Sequence, residues 1–148
     1  MKKYLLIKAI VTYLLFTINL VAAQQSYFEE GITLFDKKEF NKSKKLFEKD
    51  IVFNPKNEKS YLYLAKIFNR EENDEEQEVN LTNVLLINPK NDEAVYMLTI
   101  LKIKQSDYNQ AKELIEQFNL ICKSYCSKKK EIAEKLDKLA PENAKKEN

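Results

Sequence analysis

The sequence predicts an all-α protein built from repeated helix pairs, and three observations carry that prediction. The tetrapeptide Asn-Pro-Lys-Asn occurs at Asn54–Asn57 and again at Asn88–Asn91, 34 residues apart, and a fixed period of this size marks stacked helical units. The chain of 148 residues contains one glycine and three prolines, too few for the tight turns of a sheet protein. Tyr61, Leu64, Ala65 and Phe68 recur at i, i+3, i+4 and i+7, the spacing that gives a helix one apolar face.

Taken in order, the chain opens on an address. Met1–Lys3 form a short basic head, and an apolar stretch from Tyr4 to Ala23 is broken only by Lys8. It ends in Val21-Ala22-Ala23, with small residues where a signal peptidase reads, and polar Gln24-Gln25 follow. Residues 1–23 therefore read as a cleavable export signal, with a retained membrane anchor as the alternative. No cysteine follows the apolar core, so a lipoprotein has no residue to carry its lipid. The mature chain is expected outside the cytoplasm, in the periplasm or beyond. The whole-chain charge of +2 owes three lysines to this segment, so the remainder carries a net −1. Such a balance predicts no nucleic-acid partner, and contact with a membrane only through residues 1–23 if they are retained.

Counting by 34 places the first two units at 24–57 and 58–91 and starts a third at Asp92, which is taken to run over 92–126, with a cap at 127–139. Helix pairs are expected at about 25–37 and 40–53, 58–69 and 74–87, and 92–104 and 108–121. Pro55 and Pro89 mark the boundaries, because proline is tolerated in a helix's first turn and cannot continue one. Phe40, Leu46, Phe47 and Ile51 share one side of the second helix, with Lys42, Lys45 and Lys49 opposite. A last helix at about 128–139 carries Ile132, Leu136 and Leu139 on one face, as a solvating cap should. Residues 140–148 read as a short disordered tail. The fold expected is an α-solenoid of about three helix pairs with a C-terminal capping helix.

At these positions the chain resembles the tetratricopeptide-repeat family, whose unit is 34 residues long. The eighth residue of a unit is small there, where its two helices approach, and here it is Gly31, Ala65 and Thr99. The fourth is large (Tyr27, Tyr61, Val95), the twenty-fourth bulky (Phe47, Leu81, Ile115), and the thirty-second is proline in two units and Lys123 in the third. Departures stand at Glu30, at Lys102 against Leu34 and Phe68, at Asp50 and Phe118 where alanine is usual, and at Gln77 against Ser43 and Ala111.

The resemblance implies a groove lined by the second, fifth, ninth and twelfth residues of each unit. These are Gln25, Phe28, Ile32 and Phe35, then Lys59, Leu62, Lys66 and Asn69, then Glu93, Tyr96, Ile100 and Ile103. It implies a protein-binding module that holds a partner segment there. The third unit's first helix is apolar nearly all round, so a partner, a second copy or the chain's own cap should cover it. Some family members clamp a terminal carboxylate with basic and asparagine side chains. The matching positions hold Phe28, Ile32, Tyr63, Glu93 and Met97, which excludes that clamp.

Little else suggests chemistry. Histidine is absent, and with it the commonest acid–base catalyst and metal ligand. No enzymatic activity, cofactor or metal is expected. Cys122 and Cys126 are the only cysteines. They read as a candidate disulfide that closes only across a turn, or as two free structural thiols. The acids Glu71, Glu72, Asp74, Glu75, Glu76 and Glu78 read as a solvated turn, well placed at a helix N-terminus. Asn41-Lys42-Ser43 and Asn80-Leu81-Thr82 match the glycosylation pattern. The function expected is a non-enzymatic interaction module outside the cytoplasm, with a membrane-anchored assembly component as the alternative.

Overall fold

The computed structural model describes residues 26–140. The segment 1–23, groove position Gln25 and the tail beyond Ala140 lie outside the described residues. Among the described residues seven α-helices follow in sequence: α1 (Tyr27–Asp36), α2 (Phe40–Phe53), α3 (Glu58–Arg70), α4 (Asp74–Ile87), α5 (Asp92–Lys104), α6 (Tyr108–Ile121) and α7 (Lys129–Leu139). A 3₁₀ turn, Cys126–Lys128, precedes α7. Each of the three pairs packs internally, each second helix packs on the next unit's first helix, and α7 packs on both α5 and α6.

Local chemistry sets the boundaries. Side-chain oxygens of Ser26, Asn73, Asn91 and Asp107 accept from the backbone N–H groups of Glu29, Glu76, Ala94 and Gln110, which would otherwise lack helical partners. The turn inside each unit recurs in the same form. Lys38, Glu72 and Ser106, again 34 apart, hold φ of 63°, 55° and 63°. The N–H groups of Glu39, Asn73 and Asp107 reach back to the carbonyls of Leu34, Phe68 and Lys102, and those of Lys38, Glu72 and Ser106 reach Phe35, Asn69 and Ile103. Paired bonds of this kind close a helix through a left-handed residue.

The small-residue positions lie where the helices cross. Gly31, Ala65 and Thr99 are buried, and Ser43 Oγ donates to the Gly31 carbonyl at 2.8 Å. Three clusters form the interior: Phe47, Leu64 and Ile67 between the first two units, Leu81, Val84, Leu98, Phe118 and Ile132 along the second and third, and Ile103, Ala111, Leu136 and Ala140 beneath the cap. Ala140, expected in the tail, is buried because it completes that last cluster.

Three of the departures from the repeat pattern, Glu30, Asp50 and Lys102, have physical reasons. Glu30 is exposed. Its equivalent Leu64 packs against Phe47 of the preceding unit, and no unit precedes α1 among the described residues. Asp50 is buried and accepts from Asn54 Nδ2 (3.0 Å), Asn57 Nδ2 (2.6 Å) and Ser60 Oγ (2.5 Å), joining the first unit to the second. Lys102, buried along its stem, pairs with Glu78, which also accepts from Gln105 Nε2 at 3.0 Å. The bond from Lys102 holds the Glu78 carboxyl below its ordinary value, against the opposing effect of burial. Much of the acidic run is thus paired: Glu71 with Lys44, Asp74 with Lys104 and Glu78 with Lys102.

Candidate partner-binding groove

The first helices of the units form one side of the stack, and cross-unit contacts define what that side presents. In units one and two it is aromatic. The Tyr63 ring stacks on Phe47 (centroids 5.0 Å apart) and meets the edges of Phe35 (5.0 Å) and Phe28 (6.0 Å), while Phe35 also meets Phe40 at 5.3 Å. Phe28, Ile32, Phe35 and Tyr63 are each half-buried, so each keeps one surface in the protein and offers another outward. Burial first, then the carboxylates of Asp36, Glu93 and Glu29, pushes the Tyr63 hydroxyl above its ordinary value and keeps it a neutral donor. Lys66 bridges the second and third units, pairing with Glu93 at 2.8 Å and lying 4.9 Å from the Tyr63 ring centroid.

The third unit's stretch of this side is occupied by the chain itself. Tyr96 donates to Glu131 of α7 at 2.7 Å, packs on Tyr125 at 5.8 Å between centroids, and has Lys128 above its ring. Burial and then Glu131 push the Tyr96 hydroxyl up to about 12. The bond from Lys128, then that from Tyr96, holds the Glu131 carboxyl low. Tyr125 donates to Glu93 at 2.5 Å, and its own hydroxyl is raised by burial and by that carboxylate.

The loop between α6 and α7 is pinned twice. Cys122 and Cys126 are joined in a disulfide, closed across the non-helical stretch that the spacing requires. Within it the backbone N–H groups of Lys123, Ser124 and Tyr125 all donate to Asp92 Oδ2, at 2.7, 2.7 and 2.9 Å. Burial would raise the Asp92 carboxyl, and the three N–H bonds outweigh it and hold it low. Proline has no N–H to give, which explains why Lys123 stands where the other two units have Pro55 and Pro89.

The expected groove residues therefore separate. Phe28, Ile32 and Phe35 come together with Tyr63, and Asn69, on the same helix as Tyr63, is exposed. Lys66 is half-buried in its ion pair. Leu62 and Ile103 are buried in the interior rather than open to the groove, because the next unit closes over Leu62 and the cap closes over Ile103. Tyr96 and Ile100 are half-buried and pack on the cluster that includes Ile132. Tyr63, Asp92, Tyr125 and Glu131 carry the arrangement and were not singled out as groove residues by periodicity. Their roles depend on contacts between units that no local pattern encodes. Among the described residues no cluster of acids and cysteines could hold a metal ion, and no helix is long and apolar enough to cross a membrane.

No family model matches the sequence, and no curated protein matches it. Solved structures do match. The second tetratricopeptide-repeat domain of human RPAP3, in complex with an HSP70 peptide, is similar with a TM-score of 0.64 and 18% identity, over 77% of this chain and 92% of that one. The Sgt2 tetratricopeptide-repeat domain of Aspergillus fumigatus is similar with a TM-score of 0.56 and 18% identity, over 82% and 72%. This chain has the tetratricopeptide-repeat fold. A chain of the CopN-Scc3 complex also matches, with a TM-score of 0.64 and 19% identity over 73% of this chain. The match spans 65% of that protein, just under two thirds of its length. The three helix pairs here follow that fold, and α7 closes the third unit's stretch of the first-helix side.

Proposed function

We propose that this tetratricopeptide-repeat protein is a non-enzymatic protein-binding module, exported from the cytoplasm, that holds an extended or helical segment of another protein on its first-helix side. The carrying observation is the half-exposed group Phe28, Ile32, Phe35 and Tyr63. Aromatic anchors of this kind dominate binding where a partner completes their burial. Because α7 covers Tyr96, the recognition surface spans units one and two and ends near the Lys66–Glu93 pair. That length suits a short segment. The RPAP3 domain in complex with an HSP70 peptide and the CopN-Scc3 complex support the reading by fold alone.

The test compares Ile32→Glu/Asn69→Glu with wild type in cross-linking within the native host. Asn69 is exposed, whereas Ile32 packs partly on the first core cluster, so circular dichroism and a thermal melt of the double variant accompany the comparison and the single Asn69→Glu variant is run beside it. The reading expects the cross-linked partner to be lost from the double variant. An unchanged cross-linking pattern would refute it. The membrane-anchored alternative draws on one observation: Ser26 caps α1 only three residues after Ala23, so a retained segment would hold the domain close to a bilayer. N-terminal sequencing separates the two, with Gln24 first after cleavage and Met1 first for an anchor.

A further inference from the structure

The second helices α2, α4 and α6 form the opposite side of the stack, and what they expose is unusual for a solitary soluble chain. Val52, Leu86 and Leu120 stand 34 residues apart and are 75%, 75% and 88% exposed. One or two turns earlier on the same outward faces lie Lys45 and Lys49 on α2, Val79 and Thr82 on α4, and Glu113 and Glu116 on α6, all exposed. Lys45, Glu113 and Glu116 have no ion-pair partner among the described residues. The face is therefore basic at one flank, apolar along its middle and acidic at the other.

We propose that this face is the interface of a two-fold symmetric homodimer. The charge order selects the axis. A two-fold parallel to α4 lays α4 on its copy, places α2 of one protomer on α6 of its partner, and keeps the helices parallel. Leu86 and Val79 then meet their own copies on the axis. Val52 meets the partner's Leu120 at the same height, and Lys45 and Lys49 meet the partner's Glu113 and Glu116. A two-fold perpendicular to α4 would instead set lysines on lysines. Three units, with the apolar one in the middle, are what an isologous contact needs: the central element on the axis and the flanks exchanged. Helices of 14 residues are roughly 21 Å long, so three side by side offer on the order of 600 Å² per copy, at the small end of stable interfaces. Glu48 opposes the pattern on α2. Glu75, at the solvent end of α4, would face its own copy.

The experiment is sedimentation velocity on the full chain across a micromolar concentration series, with circular dichroism of every variant. Wild type is expected to sediment as a dimer whose dissociation constant rises with salt. Leu86→Glu, at an exposed site that leaves the fold unchanged, is expected to give monomer. Glu113→Lys/Glu116→Lys should weaken the dimer at least tenfold. Adding Lys45→Glu/Lys49→Glu to that variant should restore it, and Glu75→Gln should tighten it. A monomeric wild type overturns the proposal. So does association that survives Leu86→Glu, which would place it elsewhere, for example in the apolar stretch of residues 1–23. None of these changes touches the first-helix side, so partner capture there is expected to continue in the monomeric variants.

Discussion

The Cα of Gly31 faces the ring of Phe47 so closely that a methyl group added there would stand 2.7 Å from Phe47 Cε1. Phe47 cannot yield, being fully buried and held by Tyr63 and Phe28. Alanine in a helix interior would by itself be favoured by about 0.5–1 kcal/mol over glycine. Overpacking a tight core typically costs about 1–3 kcal/mol. Gly31→Ala is therefore expected to lower stability by about 1–2 kcal/mol despite its better helix propensity, read by urea titration. A neutral or stabilising result would mean that the first pair is looser than these contacts require.

Asp50 ties the first unit to the second through Asn54, Asn57 and the fully buried Ser60 hydroxyl. Its removal leaves three donors without their acceptor, and the Ser60 hydroxyl cannot turn to water. Asp50→Ala should cost about 2–4 kcal/mol and Ser60→Ala about 1 kcal/mol. In a double-mutant cycle the two effects should combine to less than their sum, because they remove one shared bond. Additive losses would show that the bond contributes little.

Much of the fold was legible because it repeats. The two Asn-Pro-Lys-Asn segments located the turns between units, and the apolar spacing of Tyr61, Leu64, Ala65 and Phe68 located a buried face. The helices fall within about two residues of the ranges expected from those patterns. The site was legible only in part. Phe28, Ile32 and Phe35 followed from their places in the unit, but Leu62 and Ile103 share those places and are buried. How deeply a residue lies depends on what the next unit, or the cap, lays over it. Tyr96 shows the limit best: its partner Glu131 is 35 residues away on α7, and no periodicity connects them. Asp50 and Lys123 looked like lapses in the pattern and are instead polar ties between neighbouring units.

The left-handed turns were hidden for a different reason. Lys38, Glu72 and Ser106 adopt positive φ without the glycine that usually announces it. Each is exposed, so its side chain contributes little packing. Relief of the left-handed strain, about 1–2 kcal/mol, should exceed the extra freedom glycine gives the unfolded chain, about 0.4–1 kcal/mol. Glu72→Gly should thus raise stability by about 0.5–1 kcal/mol, and the three substitutions should add, being in separate turns. Thermal melts of the single and triple variants would reveal it. A fall in melting temperature would contradict the assigned turn.

The Asp92 carboxylate, held by the N–H groups of Lys123, Ser124 and Tyr125, should make docking of the cap depend on acid. Its folded-state pKa lies below the ordinary value, so as pH falls the unfolded chain takes up the proton first. The stabilisation is complete above about pH 4, near the ordinary aspartate value, and is lost as pH falls through the folded-state value. Asp92→Asn should cost about 1–3 kcal/mol at pH 7, and its difference from wild type should shrink below about pH 4. Lys123→Pro should reproduce part of that loss by deleting one of the three donors. The Cys122–Cys126 bond closes too small a loop to contribute more than about 2 kcal/mol. Reduction should therefore loosen the loop while leaving the acid dependence in place, since the carboxylate still gathers the same three N–H groups. Hydrogen exchange at those amides, followed from pH 7 down to pH 3 with and without reductant, separates the two contributions. Loss of protection on reduction at neutral pH would mean that the disulfide, and not Asp92, shapes the loop.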